Sequence, residues 1–335
     1  MSNPELEAPV MRGNALSTCY LCGAEGALLY SGMTDRILAS VRGQWDLRRC
    51  LDPPCGLVWL DPMPVPEDLG LAYRHYYTHG ARAERVPKRT VAHRALRPLL
   101  RAIDSLFSRL FLIHSSRHRQ KCMFLPRGGG RQLLEVGCGS GRRLRRLHGH
   151  GWNVTGQDVD HEAIAQVAAR GLPVLAGPLE TLRLPAESFD AIVMNHVIEH
   201  VHNPLELMSE CRRLLRPRGL LVSITPNTKS WGAARFGRDW RGLEVPRHLY
   251  LYSPLPLARL AKESGFERYR TWTTPAKASS LAMGSMSLAQ FNRFDMHAHA
   301  PFGIEAGATF LQYRALFAWW RDRGCGDESV LFAER

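Results

Sequence analysis

From Gln132 to the C-terminus the chain alternates short apolar runs with segments whose apolar positions recur every three or four residues. Leu133 to Val136 reads as a strand, followed by a helix through Leu144 and Leu147 that stops at Gly149 to Gly151. Asn153 to Val159 and Glu162 to Ala169 repeat the strand-helix pair, and Gly171 closes the second helix. Pro173 to Ala176 is a short third strand, and Phe189 to Met194 a fourth of the kind a parallel strand covered on both faces requires. Asn203 and Pro204 supply an N-cap and a first-turn proline for a helix to Leu215. Arg216 to Gly219 end it, and Leu220 to Thr225 is a fifth strand. Ser253 and Pro254 open another helix, to Gly265; Phe266 to Thr273 is a sixth strand and Ser329 to Ala333 a seventh. The alternation predicts an α/β fold with an open, seven-stranded sheet and helices on both faces.

The first 130 residues follow other patterns. Residues 17–62 read as short strands between two cysteine pairs, Cys19-x2-Cys22 and Cys50-x4-Cys55, each followed by glycine. Four thiolates suit tetrahedral Zn²⁺ at a closed, structural site. The glycines are expected to free backbone N–H groups for the sulfurs. Pro62, Pro64 and Pro66 punctuate the exit, and Glu67 to His79, with Tyr73, Tyr76 and Tyr77, predicts a short aromatic helix. A further helix opens near Pro98, with Leu99, Leu100, Ile103, Leu106, Phe107, Leu110 and Phe111 on one face. The expected division is a zinc ribbon at 17–62, a basic helical linker at 63–130 and the α/β domain at 131–335.

Charge sharpens that division. The net charge is +13, and between Arg82 and Arg131 thirteen Lys/Arg face only Glu84 and Asp104. Such a segment is either a solvated linker or a surface for an anionic partner: nucleic acid, a phosphorylated substrate or an acidic membrane met peripherally through the basic helix. No run approaches eighteen apolar residues, and Met1 to Ser17 lacks the apolar stretch of a signal peptide. Cysteines in close pairs suit metal ligation in a reducing compartment, so a cytoplasmic location is expected. Cys122, Cys138, Cys211 and Cys325 are scattered and read as ordinary core or loop residues.

The strongest chemical signal is Glu135-Val-Gly137-Cys-Gly139-Ser-Gly141 at the end of the first core strand. A strand running through glycines into a helix lets backbone approach a nucleotide where side chains would collide with it. The spacing G-x-G-x-G does not specify the pyrophosphate approach of a dinucleotide site, and an acid at Glu135 would repel a pyrophosphate while favouring a cationic methionyl group. Asp158, ending the second strand, is placed to accept hydrogen bonds from ribose hydroxyls; Asp160 better suits a cap for the next helix. Leu179 follows the third strand, where an adenine edge would pass.

These segments, with Leu184 to Ile192 and Asn195-His196-Val-Ile-Glu199-His200-Val201, resemble the Rossmann-like (class I) S-adenosylmethionine-dependent methyltransferases, in the branch that methylates small molecules. The resemblance covers about 200 residues from Arg131 onward. It implies S-adenosylmethionine as cofactor and makes Glu135, Gly137, Gly139, Asp158, Leu179 and Asn195 its contacts. Pro178 stands where many relatives carry an acid. Several members of this branch carry an N-terminal zinc ribbon, usually with x2 where this chain has Cys50-x4-Cys55.

On the acceptor side, three segments reach the carboxyl rim of the strands: Asn195-His196 with Glu199-His200, the stretch Pro226 to Leu251, and Pro275 to His299. Trp231, Phe236, Trp240 and Arg241 in the second could clamp a flat or anionic acceptor, and Met283, Met286, Phe291 and Phe294 in the third could form an apolar lid. His248 in Pro246-Arg247-His248 is the preferred general base, placed just before a helix cap at Ser253; His196 and His200 are the next candidates. The expected reaction transfers a methyl group to a hydroxyl or carbon of a small molecule such as a quinol, sugar or lipid-linked glycan precursor. The competing readings are an RNA methyltransferase using the basic run on phosphates, and a catalytically silent scaffold that keeps the cofactor fold.

Overall fold

The computed structural model describes residues 8–73, 98, 102, 104–105, 113–294 and 300–335. Most of the basic segment, including Tyr76, Tyr77 and the apolar face of the helix opening at Pro98, lies outside the described residues.

The N-terminal part begins with β1 (Gly13–Asn14), β2 (Gly26–Met33), β3 (Trp45–Cys50), β4 (Val58–Asp61) and β5 (Met63–Pro64). β2, β3 and β4 form an antiparallel meander, while β1 pairs with β5. A four-residue helix, α1 (Pro66–Leu69), and a 3-10 turn at Gly70–Tyr73 take the place of the start of the expected aromatic helix. After the basic segment comes α2 (Ile113–Lys121).

The second part holds β6 (Gln132–Val136), α3 (Arg142–Gly149), β7 (Asn153–Asp158), α4 (His161–Ala168), β8 (Val174–Ala176) and β9 (Phe189–Asn195). It continues through α5 (Pro204–Leu214), β10 (Leu215–Pro226), α6 (Trp231–Phe236), β11 (Tyr250–Leu251), α7 (Pro254–Glu263) and β12 (Arg268–Thr274), and ends with α8 (Ala278–Phe291), α9 (Phe302–Arg321) and β13 (Glu328–Glu334). Seven strands build one sheet in the order β12-β13-β10-β9-β6-β7-β8, in which β13 alone runs antiparallel to its neighbours. Leu133, Leu134, Ile192, Val193, Val222 and Leu331 are fully covered, as a sheet packed on both faces demands.

Local details depart from expectation for physical reasons. Arg216 to Gly219 do not end the helix before a separate strand; they form an irregularity inside β10, with Arg218 at φ +64. Asn203 precedes Pro204 but its side chain makes no cap. Instead its amide donates to Glu206 and its oxygen accepts from the Tyr20 hydroxyl, 2.9 Å away in the N-terminal part. Ser253 likewise makes no side-chain cap, whereas Asp160 accepts the Glu162 N–H as a true one.

The two parts share a core. β11 pairs with β4, so the N-terminal sheet takes its fourth strand from the segment just after His248. Trp45, Leu47, Trp59 and Leu60 of the N-terminal strands lie in the same hydrophobic cluster as Ile198, Leu251 and Tyr252. The fully buried guanidinium of Arg247 grips Asp35 through two hydrogen bonds, 2.7 and 3.0 Å. Among the described residues no helix is long and apolar enough to cross a membrane.

Candidate functional site

A cleft of about 520 Å³ opens at the carboxyl ends of β6, β9 and β10, a size ordinary for a small-molecule site. One wall is the turn Gly137 to Ser140, where Gly137, Gly139 and Gly141 take φ of +64, +50 and +71, a left-handed region that side chains disfavour. The opposite wall carries Asn195, His196, His200, Arg241, Glu244 and His248.

Glu135 forms the floor beneath the glycine turn and is 1% exposed. One carboxylate oxygen accepts from Arg143 at 3.2 Å; the other is buried with no partner. Burial pushes this carboxyl up to about 7 against the pull of Arg143. An unpartnered, desolvated carboxylate oxygen beside exposed backbone fits the ammonium of a methionyl group, which would both neutralise it and fill its hydrogen-bonding capacity.

The other sequence-derived contacts divide. Asn195 ends β9 and lines the cleft. Asp158 accepts the Gly139 N–H at 2.7 Å and the Asp160 N–H at 3.0 Å, so it holds the glycine turn in shape and retains the outer lone pair of each oxygen. Neither Asp158 nor Leu179 lines the cleft. Leu179 is 1% exposed and belongs to the core rather than to the cleft wall.

The three histidines are differently held. His196 reaches Glu199 through Nδ1 (3.0 Å) and Glu328 through Nε2 (2.8 Å). Burial alone would lower its pKa, but the two carboxylates raise it to about 9, so both nitrogens are donors and neither can take a proton. Glu199, despite complete burial, is held down at about 2 by His196. Gln120 in α2 donates to the second oxygen of Glu328, extending this chain of polar groups.

His200 and His248 instead face one another with ring centres 4.7 Å apart. Nδ1 of His200 lies 3.0 Å from the Arg247 carbonyl and 2.8 Å from the Tyr73 hydroxyl; Nδ1 of His248 lies 2.8 Å from the Gly242 carbonyl. A carbonyl only accepts, so both rings carry a proton on Nδ1. Burial and the neighbouring His200 push His248 down to about 4, which keeps it neutral at pH 7. Its Nε2 is 3.5 Å from a Glu244 oxygen that is already paired with Arg241.

The aromatic clamp expected from Trp231, Phe236 and Trp240 does not face this cleft: Trp240 is 2% exposed, and all three pack around a separate small void with Asp327. Of the expected lid, Met283 and Phe294 line the cleft, Met286 packs against Gly307 between α8 and α9, and Phe291 is exposed.

At the N-terminal end Cys19, Cys22, Cys50 and Cys55 bring four sulfurs within 4.8 Å of one another, with Cys19 and Cys55 3.7 Å apart and Cys22 and Cys50 3.3 Å apart. Sulfurs about 2.3 Å from one tetrahedral zinc stand about 3.8 Å apart, so the set fits. The amides of Leu21 and Cys22 serve the Cys19 sulfur, that of Asp52 serves Cys50 and that of Leu57 serves Cys55. The glycines have another task than expected: Gly23 and Gly56 turn the chain at φ +72 and +62 while their N–H groups go to backbone oxygens of Cys19 and Asp52.

A family described as "Methyltransferase domain" matches residues 93–270, more than half of the chain. The chain belongs to that family. Its seven-stranded sheet is that of the Rossmann-like, class I S-adenosylmethionine-dependent methyltransferases. Among curated proteins it is 36% identical over 143 residues to a "Probable S-adenosylmethionine-dependent methyltransferase" of Mycolicibacterium smegmatis, covering 42% of this chain and 54% of that protein. It is 30% identical over 152 residues to a ubiquinone biosynthesis O-methyltransferase of Thiobacillus denitrificans, covering 41% and 65%. The chain thus spans between half and two thirds of the length of these relatives. A solved S-adenosylmethionine-dependent methyltransferase from Archaeoglobus fulgidus is 16% identical, covering 69% of this chain and 98% of that one, with a TM-score of 0.45.

Several residues around this cleft escaped the sequence reading. Arg143, Gln120 and Glu328 pair with site groups from positions 8 to 208 residues away in the chain. Only Glu328, a carboxylate at the mouth of an apolar strand, left any local signal.

Proposed function

We propose that this chain transfers the methyl group of S-adenosylmethionine to a hydroxyl or carbon of a small molecule. The observation that carries the reading is the unpartnered oxygen of buried Glu135 beneath a glycine turn, in the same cleft as His200 and His248. Bound S-adenosylmethionine would supply an electrophilic methyl on its sulfonium. Glu135 would hold the ammonium, the backbone at Gly137 and Gly139 would admit the ligand closely, Asp158 would keep the turn in shape and offer its outer lone pairs to the ribose, and Asn195 would close the side facing the acceptor.

The acceptor must meet the methyl in line and, if a hydroxyl, give up its proton. His200 and His248 present the lone pairs for that activation, and His196, with both nitrogens occupied, would position Glu199. The ubiquinone-pathway names of the relatives and the size of the cleft favour a small acceptor. We further propose residues 17–62 as a ribbon with one structural zinc on Cys19, Cys22, Cys50 and Cys55, ahead of the linker at 63–130 and the catalytic domain at 131–335. Incubation with methyl-labelled S-adenosylmethionine and a fractionated cell extract should place label in small-molecule or lipid fractions, and label found solely in RNA or protein would refute this acceptor class. His248→Ala should slow that transfer at least tenfold while cofactor affinity stays within twofold; parallel loss of both would assign His248 a structural role.

A further inference from the structure

One ring nitrogen each of His200 and His248 and a carboxylate oxygen of Glu199 lie within 4.8 Å of one another, and both histidines line the cleft. Each ring gives an Nδ1 proton to a backbone carbonyl, which leaves Nε2 as the nitrogen available to ligate. The second oxygen of Glu199, whose first is held by His196, is buried without a partner. Glu244 adds a further acceptor 3.5 Å from Nε2 of His248 rather than a donor. The buried Glu199 oxygen without a hydrogen bond and the two neighbouring imidazoles are ligand atoms that a cation would satisfy.

We propose that Glu199, His200 and His248 bind a first-row divalent cation that holds and acidifies the acceptor hydroxyl. This deepens the methyltransferase reading and rests on it. Two imidazoles and one carboxylate with open positions are the ligand set of many catalytic zinc and iron(II) sites. The surroundings match as well, because each ring donates its other N–H to a backbone carbonyl and the carboxylate is steadied by His196, as ligands of a metal usually are. Donors about 2.1 Å from one ion stand roughly 3.0–3.5 Å apart, so closure asks for side-chain shifts of about an ångström. The alternative use of His248, as a free base, suits its burial less: it is 3% exposed. With the cation in place an acceptor hydroxyl releases its proton to cleft water. Its oxygen then forms the new bond to the methyl carbon as the carbon–sulfur bond breaks, and the sulfur keeps the electron pair, leaving a neutral thioether.

Cobalt(II) is the probe, because sulfur ligation gives intense ligand-to-metal bands that nitrogen and oxygen ligation does not. The full chain, stripped by chelator and titrated with cobalt(II), should take up two equivalents, one with thiolate bands from the cysteine site and one without. His248→Ala and His200→Ala should each weaken the second site at least tenfold, with the thiolate bands and S-adenosylhomocysteine binding intact as proof of folding. Uptake of a single, thiolate-bound equivalent by the wild-type chain overturns the proposal, as does a second site indifferent to both variants. Methyl transfer that continues undiminished with no metal at the second site also overturns it, while leaving the methyltransferase reading standing.

Discussion

At the scale of single residues the cleft is a set of charges placed against their surroundings, and pH is the probe that reads them. Glu135 is raised to about 7 by burial, and only its anion attracts an ammonium. S-adenosylhomocysteine should therefore bind more tightly as pH rises from 6 to 8, the gain levelling off once Glu135 is ionised; calorimetric titrations across that range check it, and Glu135→Gln should flatten the profile. His196 gives the opposite sign in stability. Its folded pKa of about 9 exceeds the ordinary 6.5, so its contribution is complete below pH 6.5 and is lost as pH rises through 9. Thermal unfolding followed from pH 6 to 10 should show the midpoint falling towards the alkaline end. His196→Gln should remove that slope and lower stability at pH 7 by about 3–5 kcal/mol, because it strips a cation from Glu199 and Glu328. Glu135, Gly137 and Gly139 could be placed at the cleft from the sequence because they lie in one local motif. The tautomers of His200 and His248 were not legible, since the carbonyls of Arg247 and Gly242 that fix them depend on how the 241–249 segment folds back.

Elements were legible where period and packing agree. Strands β6 to β9 and the helices between them fall within a residue or two of their predicted ends, because their buried runs answer to the same sheet, whereas β10 begins five residues before its predicted start. Legibility failed where an element's partner is distant. Tyr250 and Leu251 carry no local sign that they pair with Trp59 and Val58, and the stretch Pro226 to Leu251 folds into α6 and two 3-10 turns where an open loop was expected. The glycine turn offers an element-scale test. A Cβ on Gly137 would stand 2.5 Å from a Val197 methyl, at a φ of +64. Gly137→Ala should cost about 1–3 kcal/mol of stability and weaken S-adenosylhomocysteine binding together, since Val197 leads directly into the Ile198–His200 turn. Unchanged melting and binding would contradict this account of the turn.

At the scale of the molecule, the cysteine end and the sheet behave as one body. They share β11, the Arg247–Asp35 pair and a continuous hydrophobic cluster. Metal analysis should find zinc bound by the four cysteines, and Cys22→Ser should abolish that site. Removing this zinc should lower a single calorimetric unfolding transition of the whole chain; two transitions, of which only one responds, would mean that the parts fold independently. The basic segment, whose charge suggested an anionic partner, lies mostly outside the described residues.

The central claim is that a buried carboxylate under a glycine turn grips the methionyl end of the methyl donor. Isothermal titration of the purified chain with S-adenosylhomocysteine at pH 8 tests it most directly. The account predicts one molecule bound per chain, and an affinity at least tenfold lower in Glu135→Gln, whose melting temperature should not fall. No heat with the wild-type chain, or equal affinity in a folded Glu135→Gln, would contradict it.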